Sequence, residues 1–325
     1  MTALLRIEDV HVSFAAAGWL KALTSGSPRR IEAVAGVSLD IATAETFAVV
    51  GESGSGKTTL ARAINGLVPV SAGSIAFDGR QLTGLSEAAM GAVRRQMSMI
   101  FQDPVGSLSP RLTVRAILAE PFHVHKMAGR DLESRIERLL GLVGLTADFA
   151  ERYPHQLSGG QARRVGVARA ITLEPKLVIA DEPTAGLDVS VQGEVLNLLN
   201  ELQARLGIAI LIITHNLNVV RHVADRMAIM YLGRIVEEGP TETIFAAPRH
   251  PYTLALLSAN PEPDPDAVID RIELQGEVPS LLQRPAGCEF HTRCPWAAGR
   301  CRSEAPAITD LGGGRRFTCH FPRQG

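Results

Sequence analysis

The feature that most constrains this chain is the stretch Gly51-Glu-Ser-Gly-Ser-Gly-Lys57-Thr58-Thr59, set between an apolar run and a segment of helical spacing. Thr46 to Val50 is apolar nearly throughout, as a strand buried on both faces should be. Leu60, Ala63, Ile64 and Leu67 then fall on one face of a helix. Strand, glycine-rich turn and helix in that order are the context of a P-loop. The glycines let backbone N–H groups converge on phosphate oxygens, and the helix N-terminus adds a favourable potential for an anion. Lys57 would reach the β- and γ-phosphates of a nucleotide, and Thr58 would offer its hydroxyl to Mg²⁺. Gly51, Glu52, Ser53, Gly54, Ser55, Gly56, Lys57, Thr58 and Thr59 together form the candidate phosphate site, against the plainer reading of a turn without a ligand.

A second apolar run, Leu177-Val-Ile-Ala, ends in two adjacent carboxylates, Asp181 and Glu182. Asp181 is suited to the Mg²⁺ shell through water, and Glu182 to orienting or deprotonating an attacking water. Adjacent acids at a strand end are more often a solvated turn, and the P-loop is what weighs against that here. Kinases, GTPases and helicases share these parts, so the discriminating text is Leu157-Ser158-Gly159-Gly160-Gln161. Ser158 and Gln161 have capping-box spacing, and Val165, Ala168 and Ile171 follow on one helical face. The two glycines expose amides at a helix N-terminus, a second phosphate-binding device.

With these residues the sequence resembles the nucleotide-binding subunits of ABC transporters: Walker A at Gly51 to Thr58, signature at Leu157 to Gln161, Walker B at Leu177 to Asp181. The resemblance implies a dimer in which Ser158, Gly159, Gly160 and Gln161 of one subunit close over ATP held by the other. It also implies a Q-loop at Gln102, which senses the metal and contacts the membrane subunit, and a D-loop, Ala185-Gly-Leu-Asp188, in place of the more familiar Ser-Ala-Leu-Asp. A switch histidine at His215 would contact the γ-phosphate, and Phe14 would stack on adenine, with Trp19 or His11 close by and a core role for Phe14 equally open. Thr58, Gln102 and Asp181 would surround Mg²⁺. Ala162 follows Gln161 where Arg or Lys is frequent.

Phe101 to Arg111, Met230 to Glu237, His250-Pro-Tyr-Thr-Leu-Ala-Leu-Leu257 and Gly276-Glu-Val-Pro-Ser280 extend the resemblance to the dipeptide, oligopeptide and nickel importer ATPases, over nearly all the chain. That implies a second ATP-binding subunit, two permease subunits and an extracytoplasmic solute-binding protein as partners. Peptide is the commonest cargo of the branch, with nickel complexes and sugars as alternatives.

The expected fold is α/β: a P-loop ABC cassette over residues 1–259 and a small C-terminal domain over 260–325. Leu5, Ile7, Val10, Val12 and Phe14, then Val37, Leu39 and Ile41, predict an antiparallel β-region with a slip between Ile7 and Val10. Ala15 to Arg30 reads as a loop or hairpin insertion. The runs Thr46 to Val50, Lys176 to Ala180 and Ile208 to Thr214 predict a parallel core sheet. A helical subdomain is expected over about 103–170, where Leu132, Ile136, Leu139, Leu140 and Val143 recur at helical spacing. A hairpin should turn near Leu232-Gly233, and Pro-Glu-Pro-Asp-Pro-Asp after Asn260 should be an extended linker.

Lys and Arg number 33 against 34 Asp and Glu, which leaves no global basic field for nucleic acid. Arg6, Glu8 and Asp9 occupy the place of a signal peptide's apolar stretch, and the apolar run Ile208 to Ile213 falls far short of the ~20 residues that span a bilayer. These features predict a cytoplasmic chain that is at most peripheral, and the resemblance implies the cytoplasmic face of the inner membrane as its place. A soluble ABC ATPase of ribosomes or DNA repair, which usually carries two cassettes, and a redox sensor built on the cysteines are the rival readings.

Cys288, Cys294, Cys301 and Cys319 are separated by five, six and seventeen residues, and the first 287 residues have no Cys. A metal site or plain buried thiols are the options in a reducing compartment. Some members of the resembled branch carry a [4Fe–4S] cluster in this tail, which makes the four cysteines its implied ligands. Zinc, with His291 or His320 replacing a thiolate, and an unmetallated tail are the alternatives.

Overall fold

The computed structural model describes residues 3–15, 30–103, 105–260 and 271–323. The insertion expected over Ala15 to Arg30 and the linker after Asn260 lie almost wholly outside these residues, as does Trp19. In chain order the strands are β1 (Leu5–Ala15), β2 (Arg30–Ile41), β3 (Thr46–Val50), β4 (Ala72–Phe77), β5 (Arg80–Gln81), β6 (Met97–Ile100), β7 (Leu177–Asp181), β8 (Ala209–Thr214), β9 (Arg226–Tyr231), β10 (Arg234–Pro240), β11 (Ile308–Gly312) and β12 (Arg315–Thr318). The α-helices are α1 (Lys57–Ile64), α2 (Glu87–Val93), α3 (Val114–Val124), α4 (Leu132–Leu142), α5 (Gly159–Ile171), α6 (Val189–Leu206), α7 (Leu217–Val223), α8 (Thr241–Ala246), α9 (Pro251–Ser258) and α10 (Gly299–Ser303). The chain divides into two compact units.

One unit comprises residues 3–40, 47–83 and 214 onward. Its first sheet has the order β2-β1-β4-β5, with β1 antiparallel to β4. Leu5, Ile7, Val10 and Val12 are all buried, and the slip between Ile7 and Val10 is a bulge: the register shifts between Glu8 and His11, where Asp9 has φ 47°. One extra residue restores the inward face for Val10 and Val12. Phe14, beyond the bulge, is 39% exposed.

The second sheet of this unit runs β11-β12-β10-β9-β3, with β3 parallel to β9 and the remaining pairs antiparallel. All five residues of β3 are buried. The expected hairpin is formed by β9 and β10, and Leu232 and Gly233 both have positive φ, as a two-residue turn of this hand requires. Around β9 packs a core of Val50, Leu217, Val220, Ile229, Tyr231, Tyr252 and Phe290, against which Cys288 and Cys294 are half-buried. Burying each such aromatic ring contributes roughly 1.5–3 kcal/mol. The C-terminal tail thus shares a core with the strands behind the glycine-rich loop.

The other unit comprises residues 41–46 and 84–213. Its strands β8, β7 and β6 are parallel neighbours, with Leu177 opposite Ala209 and Met97 opposite Leu177. Every residue of β7 is buried, matching its unalternating apolar sequence. In α4 the buried positions are Ile136, Leu139 and Leu140, while Glu137 and Arg138 stay exposed. Arg169 of α5 reaches Glu120 of α3 at 2.9 Å, tying two of the helices together. The short strands β4, β5, β6, β11 and β12 have no counterpart in the sequence reading.

Candidate nucleotide site

Gly56 caps α1 with φ 104° and ψ 0°, so the helix begins on a left-handed glycine without a side-chain cap, the kind of start at which an anion is favoured. A Cβ at Gly56 would lie 2.2 Å from the Ala33 carbonyl, and one at Gly51 would lie 2.2 Å from the Met230 carbonyl. Both glycines are therefore dictated by close backbone approach. Lys57 is 7% exposed. Its Nζ donates to the carbonyls of Gly51 at 2.7 Å and Glu52 at 2.9 Å, and to Ser55 Oγ at 3.3 Å. The loop thus wraps a buried cation, which phosphate oxygens satisfy better than neutral carbonyls do. Ser53 and Gly54 are exposed at the loop's tip, and Thr58 and Thr59 are half-buried in the first turn of α1. These residues fit a nucleotide triphosphate with its Mg²⁺.

Asp181 closes β7 at 2% exposure, and Glu182 follows with φ 50°, its N–H donating to the Ile213 carbonyl at 2.8 Å. A non-glycine residue held in the left-handed region costs about 1–3 kcal/mol, the kind of strain that collects at functional sites. The capping box at the start of α5 is formed in full: Gln161 N donates to Ser158 Oγ at 3.2 Å, and Ser158 N donates to Gln161 Oε1 at 3.0 Å. Gly159 and Gly160 occupy the first turn. Asp188 caps α6, its side chain accepting from Val191 N at 3.0 Å. Gln102 is exposed after β6, and His215 is exposed after β8. Gln102, Ser158 to Gln161, Asp181, Glu182 and Asp188 fall in the unit of residues 84–213, and Phe14, the glycine-rich loop and His215 in the other.

Residues 34–185 match the ABC transporter family, and residues 236–301 match the C-terminal region of the oligopeptide/dipeptide transporter family. The chain is 45% identical, over 98% of its length and 90% of the relative's, to a probable peptide ABC transporter ATP-binding protein of Sinorhizobium fredii. It belongs to the ABC transporter ATP-binding family. It is also 46% identical to the oligopeptide transport ATP-binding protein OppF of Escherichia coli, covering 86% of this chain and 85% of that one. Among solved structures, a dimeric, post-hydrolysis state of the ATP-binding cassette MJ0796 with ADP and phosphate matches with TM-score 0.63 at 28% identity, over 73% of this chain and 98% of that one. CbiO1 of Clostridium perfringens matches with TM-score 0.64 at 29% identity, over 76% and 92%. As a member of this family the chain is an ATPase that uses ATP and Mg²⁺. Among the described residues no helix is long and apolar enough to cross a membrane.

Two arginines that the sequence reading passed over organise the cassette. Arg163 of α5, 7% exposed, donates to the carbonyls of Pro183 at 2.8 Å and Ala185 at 3.0 Å. It so holds the segment between Glu182 and Asp188 against α5. Arg293 of the tail donates through Nη1 and Nη2 to the two carboxylate oxygens of Glu52 at 2.7 and 3.1 Å. An Arg within a helix and one of several Arg in a tail carry no local signal of such partners.

The four cysteines are free thiols that line one pocket with His291 and His320. Burial pushes the Cys288 and Cys319 thiols up to about 11 and raises that of Cys294, and the other thiols add to each shift. The expected metal-ligand set is not formed: among the described residues no group of three or more His, Cys, Asp or Glu is arranged to hold a metal ion.

Proposed function

We propose that this chain is the ATP-hydrolysing subunit of a peptide importer, paired with a second ATP-binding subunit on two membrane-embedded permease subunits at the cytoplasmic face of the inner membrane. Residues 1–259 would be the cassette, and 260–325 the C-terminal domain. The observation that carries the reading is similarity along nearly the whole chain to proteins named for peptide and oligopeptide transport. Within it, Lys57 binds the β- and γ-phosphates, and Thr58, Gln102 and Asp181 surround Mg²⁺. Glu182 activates the attacking water, His215 contacts the γ-phosphate, and Phe14 stacks on adenine. Ser158 to Gln161 and Asp188 act on ATP held by the paired subunit. The dimeric, ADP-bound cassette among the similar structures supports that arrangement. A solute-binding protein outside the membrane delivers the cargo.

The test is purification of the chain with co-expressed neighbouring membrane proteins. A stable complex that hydrolyses MgATP is expected; a chain that elutes alone from every such preparation counts against the reading. The same preparation, made without oxygen, addresses the tail. Four thiols at one pocket are in kind the donors of a [4Fe–4S] cluster, so iron and sulfide in stoichiometric amount are expected. Zinc without iron would replace the cluster by a zinc site, and neither metal in a well-folded protein would end the metal proposal.

A further inference from the structure

Glu52, the second residue of the phosphate loop, is held by residues 200 and 241 positions further along the chain. Its N–H donates to Tyr252 Oη of α9 at 3.0 Å, and its carboxylate takes both prongs of Arg293. Its carbonyl accepts from Lys57 Nζ at 2.9 Å and Ser55 N at 3.2 Å. The polar groups of one loop residue thus join the tail to the cation meant for phosphate.

The tail side of this contact is well fixed. The Arg293 side chain is 8% exposed, against 28% for Glu52. Arg293 lies in the turn between Cys288 and Cys294, and its N–H donates to the Phe290 carbonyl at 3.0 Å. Phe290 is 2% exposed and meets Tyr231 edge-on at 5.3 Å and Tyr252 at the same separation. Tyr231 ends β9, next to the Met230 carbonyl on which Gly51 rests.

We propose that Arg293 is a positioning residue for nucleotide binding, acting through Glu52 on the phosphate loop. This rests on the reading of that loop as an ATP site. Two effects operate together. The two-pronged pair fixes the Glu52 backbone, and with it a carbonyl that shapes the Lys57 site. It also neutralises a carboxylate within a loop that must accept a polyanion; left unpaired, that charge would oppose the phosphates. Nothing comparable applies to Arg300 and Glu304, an exposed pair in the same tail.

The experiment is titration of the full chain with MgATP by calorimetry, for the wild type, Arg293→Ala, Arg293→Lys, Arg293→Ala with Glu52→Gln, and Arg300→Ala. Arg293→Ala should weaken MgATP binding about tenfold, within the usual span of coupling between linked sites. Adding Glu52→Gln should recover most of that loss, because the opposing charge goes with its partner. Arg293→Lys, which keeps the charge without the fork, should fall between, and Arg300→Ala should bind as the wild type does. A purely structural role for Arg293 would predict a double variant no better than the single one, and that result overturns the proposal. Wild-type affinity in Arg293→Ala overturns it too. If Arg293→Ala does not fold, Arg293→Lys decides: affinity equal to the wild type's sinks the proposal. Failure of the wild type to bind MgATP would instead remove the loop reading beneath it.

Discussion

Replacing Glu182 by Gln is expected to leave MgATP binding intact and to cut turnover by about 10²- to 10⁴-fold, the range contributed by a positioned base. The side chain follows a fully buried strand, and its backbone is held in the left-handed region at φ 50° by a bond from its N–H to the Ile213 carbonyl. Gln keeps the shape of the carboxylate and removes its ability to draw a proton from water, so binding and chemistry separate. With hydrolysis blocked, the ATP-bound pair of subunits should accumulate. Light scattering should show association that depends on MgATP, in this variant alone or mixed with the candidate partner ATPase. Parental turnover in the intact complex would refute the role of Glu182, and a monomer in both samples would refute the shared site.

Lys57→Ala should fail one step earlier, at binding itself. The ammonium is buried at 7% exposure and now spends its donors on two loop carbonyls and a hydroxyl. In the nucleotide complex it would exchange them for phosphate oxygens. A hydrogen bond to a charged group contributes about 1.5–3 kcal/mol, so roughly 10- to 100-fold weaker MgATP binding is expected. Equilibrium titration with a fluorescent ATP analogue checks it. Unchanged affinity would mean that Lys57 does not face the phosphates.

What could be read from the sequence was what is local. The loop from Gly51 to Thr59, the carboxylates closing β7 and the Ser158–Gln161 capping box each declare themselves within a dozen residues, because backbone geometry and side-chain chemistry are specified there together. The slip between Ile7 and Val10 marked the bulge at Asp9 for the same reason: a period-2 pattern cannot skip a residue without one. Strands β4 and β6 escaped notice because Ala-Gly-Ser and Met-Ser-Met dilute any apolar signal over so few residues. Arg163 and Arg293 escaped for a different reason. Their partners lie 20 to 22 and 241 positions away, and no local pattern records a contact made only when the chain has folded. The cysteines lie between these cases. Their confinement to 32 residues suggested a metal centre; the four share a pocket, but no metal-holding group is formed among the described residues, because ligand geometry depends on sulfur positions that spacing does not set.

The most direct test of the account is ATP-dependent peptide uptake by vesicles that contain the whole assembly: this chain, its ATPase partner and the permease subunits, with the solute-binding protein added. Labelled peptide should accumulate with MgATP on the side of this chain, and Glu182→Gln should abolish the accumulation while the assembly stays intact. Equal accumulation with the wild type and Glu182→Gln, or with and without ATP, would contradict the claim that this chain powers the import.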